Sequence, residues 1–137
     1  MIRLLTVLAL SFALIGSAAA QQEVPCDGVI ATIRKSQIIE GGTPQGFMEA
    51  AKEHEAWYRA NGVTTNKIVI MPVMKRDRDT GVLASVPDQF LSFHVNPPQD
   101  AGLPRGDAAW EAYVAKYRTN SKILDDAIVC LPKDLLQ

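Results

Sequence analysis

Residues 29–62, VIATIRKSQIIEGGTPQGFMEAAKEHEAWYRANG, change their periodicity midway, and that change decides the fold. Val29 to Ile39 is rich in Val, Ile and Thr and is stopped by Gly41-Gly42, which reads as a β-strand with a breaker behind it. Thr43 then offers an N-cap oxygen, and Pro44 falls in the first helical turn, where a missing N–H costs nothing. Phe47, Ala50, Ala51, His54, Trp57, Tyr58 and Asn61 follow at helical spacing, and Asn61-Gly62 is a fitting C-terminal stop.

Downstream, Lys67 to Arg76 reads as a second strand, Asp79-Thr80-Gly81 as a turn, and the connection runs on to Pro87. Gln89 to Asn96 is a third strand with clean alternation. It places Phe90, Ser92, His94 and Asn96 on one face and Leu91, Phe93 and Val95 on the other. The apolar set is expected to meet the helices, which would leave Phe90, Ser92, His94 and Asn96 on the helix-free face, available for dimerisation. Pro97-Pro98 ends that strand. Asp107 caps a second helix, read over Asp107 to Lys122 and carrying Trp110, Tyr113, Val114 and Tyr117. Ala127 to Leu131 is a short last strand ended by Pro132. The order β-α-β-β-α-β predicts a ferredoxin-like α+β fold, one four-stranded antiparallel sheet with two helices on one face.

The two cysteines bear on the same conclusion. In this topology the last strand lies antiparallel beside the first, so Cys26, before strand one, and Cys130, near the end of strand four, are brought together. Two thiols and no more suit one disulfide in an oxidising compartment, whereas a metal site wants closer clusters and a redox pair wants C-x-x-C.

The N-terminus points to that compartment. A positive start (Met1 to Arg3), a charge-free and largely apolar run from Leu4 to Ile15, and small residues from Gly16 to Ala20 read as a secretory signal peptide. Cleavage is expected after Ala20, and the apolar run is short of the roughly 20 residues a membrane span needs. Removing residues 1–20 from 137 leaves 117, read as a single α+β domain over residues 21–137, periplasmic or secreted. With Arg3 gone the balance is 13 basic against 15 acidic residues, with no basic run, so neither nucleic acid nor an anionic membrane is an expected partner.

The element order, the length and the His-x-x-Trp-Tyr-Arg segment from His54 to Arg59 resemble the dimeric α/β-barrel superfamily, over about Val29 to Leu131. In that superfamily two ferredoxin-like sheets pack face to face, and a pocket lies between helices and sheet. Its members include heme-degrading and quinone-forming monooxygenases, isomerases and stress-response proteins. The resemblance implies a homodimer and a pocket but not one chemistry. Heme-binding members commonly use a helical histidine, and the second helix here has none, so His54 is the candidate left for a heme ligand. No cofactor is otherwise expected.

Both histidines are candidate site residues. His54 shares a helical face with Phe47, Ala51 and Tyr58 and so points toward the sheet or a cavity beside it. There it can act as a general base or orient a ligand, or be a semi-buried histidine bonded to a backbone carbonyl. His54, Trp57, Tyr58, Ser92 and His94 are the ligand-binding candidates, and His54 is the catalytic one. A Ser92–His94 nucleophilic pair lacks a strained serine turn and a third group. His54-Glu55 begins H-E-x-x-H, but Tyr58 stands where the second histidine should be, and no metal site is expected. Asp77 to Gly81 resembles a calcium loop without its later ligands and reads as a charged turn. Arg105-Gly106-Asp107 matches the adhesion tripeptide, but Asp107 has a local use as a cap. The expected function is binding of a small apolar or aromatic ligand in a helix–sheet pocket. The alternative is a cofactor-independent or heme-linked oxygenase or isomerase using His54. A filled helix–sheet interface would instead favour a purely structural protein.

Overall fold

A computed structural model describes residues 25–98 and 102–136. The signal peptide read over residues 1–20 lies outside them. The elements are β1 (Gly28–Ile38), α1 (Pro44–Ala60), β2 (Lys67–Arg76), β3 (Leu83–Val95), α2 (Ala108–Asn120), β4 (Ser121–Pro132) and a 3-10 turn, Lys133–Leu136. The four strands form one sheet in the order β2-β3-β1-β4, and every neighbouring pair is antiparallel. This is the ferredoxin-like α+β arrangement that the element order predicts. Among the described residues, no helix is long and apolar enough to cross a membrane.

Local chemistry starts and ends the helices as expected. Thr43 is extended, and its hydroxyl accepts from Gly46 N at 3.0 Å with Pro44 behind it. Asp107 accepts from Trp110 N at 2.7 Å to cap α2, and the same carboxylate takes the Trp57 indole N–H at 3.1 Å. One side chain therefore starts α2 and fastens it to α1. At the other end Asn120 receives Thr43 N on its side chain at 2.9 Å and Ile39 N on its carbonyl at 3.1 Å. A Cβ on Gly42 would lie 2.3 Å from that carbonyl oxygen, so the approach of β1 and α1 to the end of α2 requires glycine there.

Two strands are longer than the sequence suggests. Strand β3 begins at Leu83 because the turn closes tightly: Asp77 N donates to Val82 O, and the Asp77 carboxylate accepts from the backbone of Asp79 and Thr80. Pro87 is tolerated because it falls where the β2–β3 register shifts, between Pro72–Phe90 and Met74–Ser85, and so interrupts no ladder bond. Strand β4 begins directly at Ser121, the C-cap of α2. It is an edge strand, which accommodates Lys122, Asp125 and Asp126 that mask it in the sequence.

The expected orientation of β3 is reversed. Phe90 contacts Phe47 of α1 at 5.7 Å between ring centroids, and His94 contacts His54 at 5.3 Å, so Phe90, Ser92 and His94 face the helices. Asn96 lies past the strand end at φ 51°, where its N–H donates to Ile30 O. Leu91, Phe93 and Val95, with their cross-strand partners Ile33, Val69, Met71 and Ala31, occupy the face that neither helix covers. Alternation groups residues by face; it does not say which face the helices take.

Cys26 and Cys130 are disulfide-bonded with Cα atoms 5.6 Å apart, 104 residues apart in the chain. The bond pins the start of β1 to the end of β4, where Gly28 pairs with Pro132. A Cβ on Gly28 would meet Leu131 O at 2.1 Å, so the two strands close only over a glycine. A loop of this length is stabilised by about 2–4 kcal/mol when closed. Reduction, or the double substitution C26S/C130S, is therefore expected to lower the unfolding free energy by about that amount, read from urea titrations with and without reductant. An unchanged midpoint would show that the β1–β4 pairing holds without the bond.

Candidate functional site

The two helices pack on one another through an aromatic cluster. Trp57 and Tyr58 of α1 pack with Tyr113 of α2, all buried, and Val63, Leu103, Trp110, Val114 and Tyr117 close around them. The helices reach the inner strand β3 through Phe47 on Phe90 and through His54 and Tyr58 on His94. Beside these contacts lies a cleft of about 450 Å³, so the helix–sheet interface is not filled.

The floor of the cleft is the helix-facing side of the sheet. Arg34 and Ser36 project from β1, Ser92 and His94 from β3, Ile68 from β2, and Ser121 and Ile123 from β4. The β1–β3 register places Arg34 opposite Ser92 and Thr32 opposite His94. The walls are Phe47 and His54 of α1 with Trp110, Tyr113, Val114, Tyr117 and Arg118 of α2. The lining is thus mostly aromatic over a polar floor, with two arginines and no carboxylate.

His54, Ser92 and His94 line this space, whereas Trp57 and Tyr58 lie behind it in the aromatic core. The His54 ring stacks against Tyr113 at 4.3 Å and against Tyr58 at 4.9 Å, with Tyr117 edge-on at 6.0 Å. Arg34, Ser36, Tyr113 and Tyr117 were not singled out in the sequence. One signal could have found the first two: Thr32, Arg34 and Ser36 alternate on β1 as Phe90, Ser92 and His94 do on β3, so both inner strands carry a polar face.

A polar chain behind His94 fixes its state. Arg59 donates to the Glu55 carboxylate and to both oxygens of Asn66, which is fully buried. A guanidinium only donates, so the Asn66 side-chain oxygen must face Arg59 and its amide nitrogen must face His94 Nε2, 3.3 Å away. Nε2 therefore accepts, and neutral His94 carries its proton on Nδ1.

Both histidines are held neutral. Burial first, then the neighbouring His94 and the Arg34 charge, lower His54 to about 3. Burial and Arg34 lower His94 to about 4, against the opposing pull of Glu55. Burial raises Tyr113 and Tyr117 above the usual phenol range, so both stay protonated. Among the described residues, no group of three His, Cys, Asp or Glu is placed to hold a metal ion. Nor do the residues suit heme. The ring of His54, the candidate ligand, is stacked on two tyrosines and crowded by His94, while an axial nitrogen must face a slot as wide as a macrocycle.

No protein-family model matches the chain, and no curated protein matches it. Among solved structures it is similar to SnoaB, a cofactor-independent oxygenase from Streptomyces nogalater, at 12% identity and a TM-score of 0.44, over 80% of this chain and 99% of that one. The class of protein rests on the strand order itself, and that oxygenase's activity is not carried across at such distance.

The neutral histidines set a pH dependence. In the unfolded chain both titrate near 6.5, so as pH falls below that value the unfolded state takes up protons that the folded state refuses until about 4 for His94 and about 3 for His54. The stability these neutral rings confer is complete above pH 6.5 and is lost progressively down to those values. The urea midpoint of the wild type is expected to fall between pH 7.5 and 4.5 by clearly more than that of H54Q/H94Q; equal falls would rule the histidines out as the cause.

Proposed function

We propose that this protein is an exported binding domain that takes a small aromatic molecule into the cleft between its helices and sheet. The observation that carries this reading is the unfilled interface walled by Phe47, His54, Trp110, Tyr113 and Tyr117. Rings at this spacing offer stacked and edge-on contacts that favour a flat guest, and the volume is in the range of small-molecule sites.

The competing reading makes the cleft an oxygenase or isomerase site with His54 as base. His54 is unprotonated at pH 7, as a base must be, but a group whose conjugate acid has a pKa of about 3 is a weak one, and efficient bases titrate near the working pH. Binding is therefore preferred to proton transfer. If His54 only binds, His54→Ala weakens the affinity for 2-naphthamide by about 0.5–1.5 kcal/mol, one hydrogen bond's worth, while Val114→Trp, which fills the cleft, abolishes it. Calorimetry reads both, and unaltered binding in Val114→Trp would place the site elsewhere.

The reading extends to assembly and location. The face carrying Ile33, Val69, Leu91 and Phe93 lies under neither helix, and a second copy packed sheet to sheet would cover it. The disulfide suits an oxidising compartment and agrees with signal-peptide cleavage after Ala20. Native mass spectrometry of protein recovered from outside the cytoplasm is expected to give a dimer of chains that start at Gln21. A monomer would remove the sheet-to-sheet reading, and a chain retaining residues 1–20 would remove the cleavage.

A further inference from the structure

We propose that the cleft selects a planar aromatic anion, with its carboxylate received by Arg34 and the hydroxyls of Ser36 and Ser92. This rests on the binding reading above and specifies its ligand class.

The three side chains form one patch. Arg34 lies mid-way along β1, an inner strand, and faces the helices. Ser92 is directly across from it on β3, and Ser36 is two residues further along the same face. Ser36 is only 3% exposed. Among the described residues, none of the three side chains makes a hydrogen bond or ion pair with the protein. Arg34 and Ser92 are half-buried, and among the described residues no buried side-chain nitrogen or oxygen lacks a partner, so these polar atoms open into the cleft, where a guest can reach them. The structure therefore holds one cationic fork and two hydroxyls together with their hydrogen-bonding capacity unspent.

The carboxylate across from Arg34 on β4 does not take this role. Asp126 stands opposite Arg34 on β4, but it is exposed on the edge strand and forms no ion pair with it. No carboxylate lines the cleft, while Arg118 adds a second positive group at the α2 side. His54 and His94, both neutral, add no charge that would bring in a cation instead. An Arg fork receives a carboxylate through two parallel N–H···O bonds, and two serine hydroxyls beside it can donate to the remaining lone pairs. The aromatic walls then hold the ring system. An aliphatic acid would forgo the walls, and a neutral aromatic would leave the floor unsatisfied.

The test titrates 2-naphthoate and its neutral isostere 2-naphthamide by calorimetry into wild type, R34M, R34K and R118M, each checked by circular dichroism. The expected result is at least tenfold tighter binding of the acid by wild type. That preference should vanish in R34M and be partly retained in R34K. Equal binding of acid and amide by wild type would overturn anion selection and leave the aromatic cleft standing. Binding of neither would overturn the cleft reading and this one with it. A preference that survives R34M but is lost in R118M would also overturn the assignment, by moving the charge partner to the cleft's α2 side. The wild-type ratio requires no variant, so an R34M that fails to fold still leaves anion selection tested, and R118M then decides between the two arginines.

Discussion

Strand β1 is hydrogen-bonded on both sides, to β3 from Ala31–Val95 to Gln37–Gln89 and to β4 from Gly28–Pro132 to Ile38–Ser121. Side chains alternate along a strand, so a slip of one residue would exchange the two faces. Arg34 and Ser36 would then leave the cleft, and Ile33 and Lys35 would enter it. The disulfide at one end of the β1–β4 ladder and the Asn120 contacts at the other resist such a slip. The composition of the cleft is therefore a consequence of register.

That register produces an unusual distribution of polarity. The helix-facing side of the inner strands carries Thr32, Arg34, Ser36, Ser92 and His94, while Ile33, Leu91 and Phe93 lie on the helix-free side. Hydrophobic burial alone would favour the opposite arrangement. The helices also pack on one another through Trp57, Tyr58 and Tyr113. Their stability does not require them to fill the space above Arg34. The cleft lies beside the points where the layers touch, Phe47 on Phe90 and His54 on His94. The cleft also explains why His54 and His94 remain uncharged, since little water and a fixed cation surround them.

Much of the fold was legible in the sequence because its signals are local. Thr43-Pro44 and Asp107 mark helix starts through side-chain oxygens that reach N–H groups a turn away, and Asn61-Gly62 marks a stop. The bounds of β2 agree because a β-rich run is flanked by turns on both sides. The cysteine pairing followed from element order. Less legible were the early part of β3, where Pro87 suggested a loop but sits at a register shift, and the start of β4, whose charges belong to an edge strand. At the site, His54, Ser92 and His94 were visible as residues, but Arg34 and Ser36 were not, because a charged residue on a strand reads as a solvated face.

By itself, then, the sequence determined the element order, the helix caps, the disulfide partners and the grouping of Phe90, Ser92 and His94 on one face. Periodicity and capping depend on neighbours within a few residues, and these are written in the chain. Only the tertiary structure decided which side of the sheet the helices cover. It alone placed Arg34 beneath the aromatic walls, fastened Asn66 between Arg59 and His94, and left the space between the layers open. Each of those depends on contacts between residues far apart in the chain, and alternation is unchanged when a sheet is turned over.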